Sequence, residues 1–408
     1  MKRNFIFSFI MFGVLFFGCN RSTKHNTGGK SEIYSIDIEQ CYGTEKHMLI
    51  SEIADTVEYI ELKTPDDIIV TRIWDIKQID DYLLIQARHN VYLFNKNGQF
   101  INMVGTRGEG PEDYYLPMAI EIDYQKRELI IVVIRKILFY DLGGNLLRTE
   151  NKEDVYSFHT GISDSVLWVG YEIFYTSDIQ KYSAVAVSLQ DFGDTLAYIP
   201  NPIHRKMPDE NTHKMHNMSP LTDMFYNEGG MLYFKGGDSS DSIWKISGAQ
   251  AEPHAFINWG KYKMPVELEG WFSSGETFMQ NMDRYWGASS LIEDSNHFFL
   301  FSHKRSFIKD KKKWDAEFMK YVVYNKEMKT GFSVKDNNDV GITDDILGGP
   351  SIMPRWNSDE YYIDAIEVFE LLERMETGKY NPSAELKKQL SLMNEEDNAI
   401  IILCRRKK

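Results

Sequence analysis

The stretch Gly105–Asp113 gathers Arg107, Glu109, Glu112 and Asp113 around three glycines and Pro111, placing a guanidinium and three carboxylates on one turn. Such a turn could pass for a phosphate loop. It lacks the Lys and Ser/Thr that hold phosphate and metal, however, and does not open onto a helical pattern. Its charged side chains are read as candidate ligand contacts, and the simpler role of its glycines and Pro111 is to shape a crossover. His204, His213 and His216 include a His-x-x-His spacing able to hold a metal on one helical turn, but no Glu completes a zinc-protease set. They read as part of a polar surface insertion. Asp336–Gly341 echoes a calcium loop, yet Val340 occupies a ligand position and Leu347 stands where the closing Glu belongs. No Gly-x-Ser-x-Gly elbow occurs, and Cys19, Cys41 and Cys404 form no Cys-x-x-Cys pair. No metal site and no catalytic set are assigned.

Any such residues must be positioned by strands. From residue 56 the chain runs in short β-rich segments broken by Gly, Asn and Asp turns, with 3.6-residue periodicity confined to Asp364–Met375 and Ser383–Met393. Val91–Ile101 aligns with Ile137–Leu147 at an offset of 46 residues, each copy being strand, glycine turn, strand. Looser copies lie at Ala184–Ile199, Ser242–Gly248 and Tyr321–Glu327. Each follows an apolar run: Tyr82–Ala87, Glu128–Val133, Ser165–Gly170, Met231–Lys235 and Phe298–Ser302. Two runs and a hairpin make four strands, and this period is that of β-propeller blades. Val57–Leu62 and Ala399–Leu403, isolated strands at the two ends, are expected to share a sixth blade. The expectation is an all-β, six-bladed β-propeller over 46–408, closed by an N-terminal strand, with a helical insertion at 364–393. Closure would remove the open sheet edges, and Cys41 and Cys404 could then come within disulfide reach.

The chain of 408 residues carries a formal charge of -14, which disfavours a nucleic-acid partner. Its start reads as an address. Lys2 and Arg3 precede an apolar stretch, Phe5–Gly18, too short to span a bilayer. Leu15-Phe16-Phe17-Gly18-Cys19 resembles the bacterial lipobox, which implies that 1–18 is a signal peptide and that Cys19 is lipidated. Residues 19–45 are then expected to hold the lipidated cysteine and a flexible tether, since Asn20–Lys30 has nothing to pack. The post-cysteine stretch is basic, so the expected location is the cell envelope, on the outer membrane facing the periplasm.

Phe100–Tyr114, Asp344–Pro350 with Pro354, and Glu395–Ala399 together resemble the six-bladed propeller lipoproteins of bacteria, related to NHL and TolB-like propellers, over most of the mature chain. That resemblance implies the fold and an extracytoplasmic anchor but no activity. In a propeller, the Gly105–Asp113 turn joins the outermost strand of one blade to the innermost strand of the next, which would set Arg107, Glu109, Glu112 and Asp113 over the channel mouth. The leading expectation is a non-enzymatic scaffold binding a protein, peptide or glycan through its mouth loops, with no cofactor. The alternative is a lactonase-like hydrolase or lyase in which channel carboxylates and Asn side chains hold one divalent cation such as calcium.

Overall fold

A computed structural model describes residues 33–152, 157–171, 181–190, 192, 195–202, 224–236, 241–268, 275–305, 317–336 and 339–407. Its strands form six sheets in a closed ring, each strand pairing mainly with its neighbour in sequence. From the channel outward, blade 1 is Ile73–Ile79, Tyr82–Ala87, Asn90–Asn95 and Phe100–Met103, and blade 2 is Ala119–Asp123, Glu128–Val133, Lys136–Tyr140 and Leu146–Asn151. Blade 3 is His159–Ser163, Val166–Gly170, Tyr182–Ser188 and Thr195–Pro200. Blade 4 is Phe225–Glu228, Met231–Lys235, Ser242–Ser247 and Gln250–Asn258. Blade 5 is Trp286–Glu293, His297–Lys304, Met319–Asn325 and Thr330–Asp336. Blade 6 is Trp356–Asn357, Tyr361–Ile366, Ile400–Arg406 and, outermost, Ala54–Glu61. The expected propeller, and its closure by an N-terminal strand, are found.

The two aligned hairpins turn in the same way. Gly98 and Gly144 both have φ near +80° (78° and 79°), a backbone state closed to most side chains. The middle strands read as unbroken apolar runs because both faces are covered. Leu83 and Ile85 of blade 1 pack on Tyr361, Ile363, Ile401 and Leu403 of blade 6. Leu84 and Leu93 instead pack on Ile120, Ile131 and Leu138 of blade 2. Each side chain buried in this way contributes roughly 1.5–3 kcal/mol, so the core is distributed between blades and the channel is left for other chemistry.

Three expectations need correction. The folded body begins well before residue 46. Tyr34–Asp37 adds a fifth, parallel strand to blade 4, and Asp37 caps the helix Ile38–Gly43 by accepting the Gln40 N–H at 3.0 Å. Glu45–Lys46 then pairs with the outer strand of blade 5. Ile36, Ile38 and Cys41 are fully buried, and that burial holds the segment down. Cys41 and Cys404 are both free. Cys41 lies in this outer helix against Gly331 of blade 5, whereas Cys404 is inside blade 6, paired in register with Tyr362 and Val57. The helical insertion is shorter at its start, because Asp364, Ala365 and Ile366 pair with Ile402, Ile401 and Ile400 as strand. Its helices are Val368–Glu376 and Ala384–Leu390, and Leu371 and Leu386 anchor them to the core.

Candidate functional site at the channel mouth

The innermost strands of all six blades begin at one rim. Around that rim opens a cavity of about 570 Å³, walled by Leu116, Met118, Phe158, Met353, Trp74 and Trp356. Its polar members include Arg72, Asp75, His159, Arg355, Glu367 and Glu370. Trp74 is 44% exposed at the lip, whereas Trp356 is 8% exposed in the wall. The Trp356 indole nitrogen is buried without a hydrogen-bond partner among the described residues.

Arg355 is the most constrained charge in this wall. Its Nε donates to Asp364 Oδ1 at 3.0 Å, its Nη2 donates to the Ala365 carbonyl at 2.6 Å, and its guanidinium lies 4.4 Å from the centre of the Trp356 ring. Asp364 is held in turn by the backbone N–H groups of Met353 (2.9 Å) and Ala365 (2.8 Å). Burial pushes the Asp364 carboxyl above its ordinary range, and Arg355 beside it pulls back. Blade 6 thus fixes a flexible side chain in one orientation before any ligand arrives.

Below the mouth the channel narrows to a space of about 60 Å³. There Lys77 Nζ stands 3.5 Å from Asp75 and 3.6 Å from Glu121, and Thr160 donates to Glu121 at 3.0 Å. Burial raises the Glu121 carboxyl to about 7, with Lys77 opposing. The far end is crossed by Asn357, which donates to the Asn227 carbonyl at 2.8 Å. Among the described residues, no group of three or more His, Cys, Asp or Glu is placed to hold a metal.

The residues singled out from sequence sit elsewhere on the rim. Arg107 lies over the ring of the neighbouring Tyr115, and Asp113 accepts the Gly110 N–H at 3.1 Å. The Lys136 ammonium, in blade 2, reaches the carbonyls of Pro111 (3.1 Å) and Asp113. These bonds fold the loop outward onto blade 2, so that Glu112 borders a separate open groove with Lys136 and Arg148. Arg107, Glu109, Glu112 and Asp113 are absent from the wall of the central cavity. The residues that form that wall come from separate blades and share no linear spacing. His204, His213, His216 and Cys19 lie outside the described residues.

Two solved structures share the architecture. A protein of Bacteroides fragilis, named only for its expected export, superposes with a TM-score of 0.67 at 20% identity, covering 92% of this chain and 100% of its own. A Bacteroides vulgatus member of the DUF4221 family gives a TM-score of 0.51 at 11% identity, covering 86% of this chain and 96% of its own. At these identities the likeness concerns the fold alone. No curated protein matches the chain. Residues 33–405, which include every blade and the whole cavity wall, match the family described as a domain of unknown function, DUF4934, and the chain belongs to that family.

Proposed function

We propose that this is a non-enzymatic, lipid-anchored binding protein of the cell envelope, tethered through Cys19 at the outer membrane and facing the periplasm, that takes its partner at the channel mouth. The observation that carries this reading is the preformed cavity of about 570 Å³ with tryptophans at its lip and wall, a size and lining typical of ligand sites. The leader and its Leu-Phe-Phe-Gly-Cys ending support the anchor, as does the expected export of the Bacteroides fragilis neighbour. Of the protein, peptide and glycan partners expected from sequence, the apolar wall favours one that inserts an apolar group. Lys77 already stands between the two channel carboxylates Asp75 and Glu121, which supports binding over the metal-assisted hydrolase.

The test is a fluorescence titration with N-phenyl-1-naphthylamine, a neutral apolar probe. Saturable one-to-one binding, weakened several-fold by Trp74→Ala, is expected; Trp74 is exposed enough to be truncated without disturbing the fold. Absence of saturable binding, or indifference to W74A, would overturn the reading. Cys19→Ala is expected to release the protein from the membrane fraction.

A further inference from the structure

We infer that the ligand of the mouth cavity is an apolar-bodied carboxylate whose acid group docks on the Arg355 guanidinium over the face of Trp356. This deepens the binding proposal above and rests on it. Arg355 spends only Nε and Nη2 on its neighbours, and Nη1 has no partner among the described residues. The side chain keeps 30% of its surface exposed and borders both the cavity and the narrow channel below it. It is therefore an oriented cation with a donor to spare, set beside Trp356, Met353 and Ala365 in the cavity wall, where a charge-assisted hydrogen bond is stronger than in open water.

The surrounding charges set the valence of the partner. Arg72, also exposed, lies at the same rim. Against these two cations stand Asp75, already shared with Lys77, Glu367, whose carboxylate accepts the Arg72 backbone N–H at 2.6 Å, and buried Glu370. The three acidic side chains Asp75, Glu367 and Glu370 in the wall work against a dianion such as a phosphate monoester. A single planar carboxylate matches one guanidinium edge. The volume and the Met, Phe and Trp lining accept an aromatic or branched aliphatic body, whereas a bare sugar would leave its hydroxyls against apolar walls.

The experiment compares 1-naphthylacetate with 1-naphthylacetamide by isothermal titration at neutral pH, the two having one body and differing only in charge. The acid is expected to bind about tenfold more tightly than the amide, and Arg355→Gln is expected to abolish that preference. Equal affinity for the two probes, or a preference that survives in R355Q, would overturn the inference. R355Q leaves Asp364 buried without its cation, so circular dichroism accompanies it, and the comparison in the unmutated protein decides the matter by itself if the variant is unfolded. Binding of N-phenyl-1-naphthylamine separates the two proposals. If it binds while the acid shows no preference, only the carboxylate inference falls; if neither it nor the acid binds, the binding reading falls too.

Discussion

Arg406 meets both carboxylate oxygens of Glu228, each at 2.7 Å, so the last strand of the chain is bolted to the innermost strand of blade 4, two blades away around the ring. Both side chains are largely buried, at 13% and 15% exposure. Removing one partner strands a charge in a dry setting, and Arg406→Ala is expected to cost about 3 kcal/mol in urea denaturation. The double variant with Glu228→Ala should cost clearly less than the sum of the singles. Additive costs would show that the pair is not coupled.

The channel acid predicts a pH dependence. Glu121, ordinarily near 4.5, is raised to about 7 by burial. Between those values the folded chain holds a proton that the unfolded chain has lost, so this residue lowers stability as pH rises from 4.5 to 7 and has no further effect above that. Glu121→Gln removes the slope. Relative to the parent, the variant should gain on the order of 3 kcal/mol across that interval, followed by thermal melts at stepped pH. Parallel curves would refute it.

Asp294 should behave in the opposite sense. Burial would raise its carboxyl, but His297 at 3.4 Å, the Tyr362 hydroxyl at 2.5 Å and backbone N–H groups outweigh it and hold it at about 2. The stability it supplies is complete above its ordinary 3.8 and is lost as pH falls toward 2. Asp294→Asn should flatten that part of the acid-unfolding curve by about 2 kcal/mol.

Two thiols give a chemical check on the packing. Burial pushes Cys41 up to about 12 and Cys404 well above its ordinary value. Neither should react with Ellman's reagent in the folded protein, and both should react at once in denaturant. Fast labelling of either in native buffer would contradict the packing of the Ile38–Gly43 helix or of blade 6.

The ring was legible because a blade repeats its own grammar: strand, tight turn, strand, with glycine recurring where φ must be positive at Gly98 and Gly144. The Gly105–Asp113 turn was likewise readable as a crossover between blades. Its orientation was not, since that depends on Lys136 in the next blade drawing the loop outward. The cavity left no linear trace for a similar reason. Arg72, Met118, His159, Ser290 and Arg355 belong to five blades or their approaches and meet only after closure. Trp356–Asn357, the inner strand of blade 6, is two residues long and gives no alternation to read. The signal for the early start of the body was present in Ile36, Ile38 and Cys41, apolar positions spaced across a strand-to-helix junction that Asp37 caps.

The pairing of Ala54–Glu61 with Ile400–Arg406 also governs the order of events during biogenesis. The first of these strands is made before any of the other blades, and its partner follows all of them in the chain. Until the second strand joins, the ring is an open arc with two raw edges, a state prone to sticking. A chain lacking Ile400–Arg406 would keep five blades and have no means of sealing the ring, so the integrity of the fold is decided at this one seam.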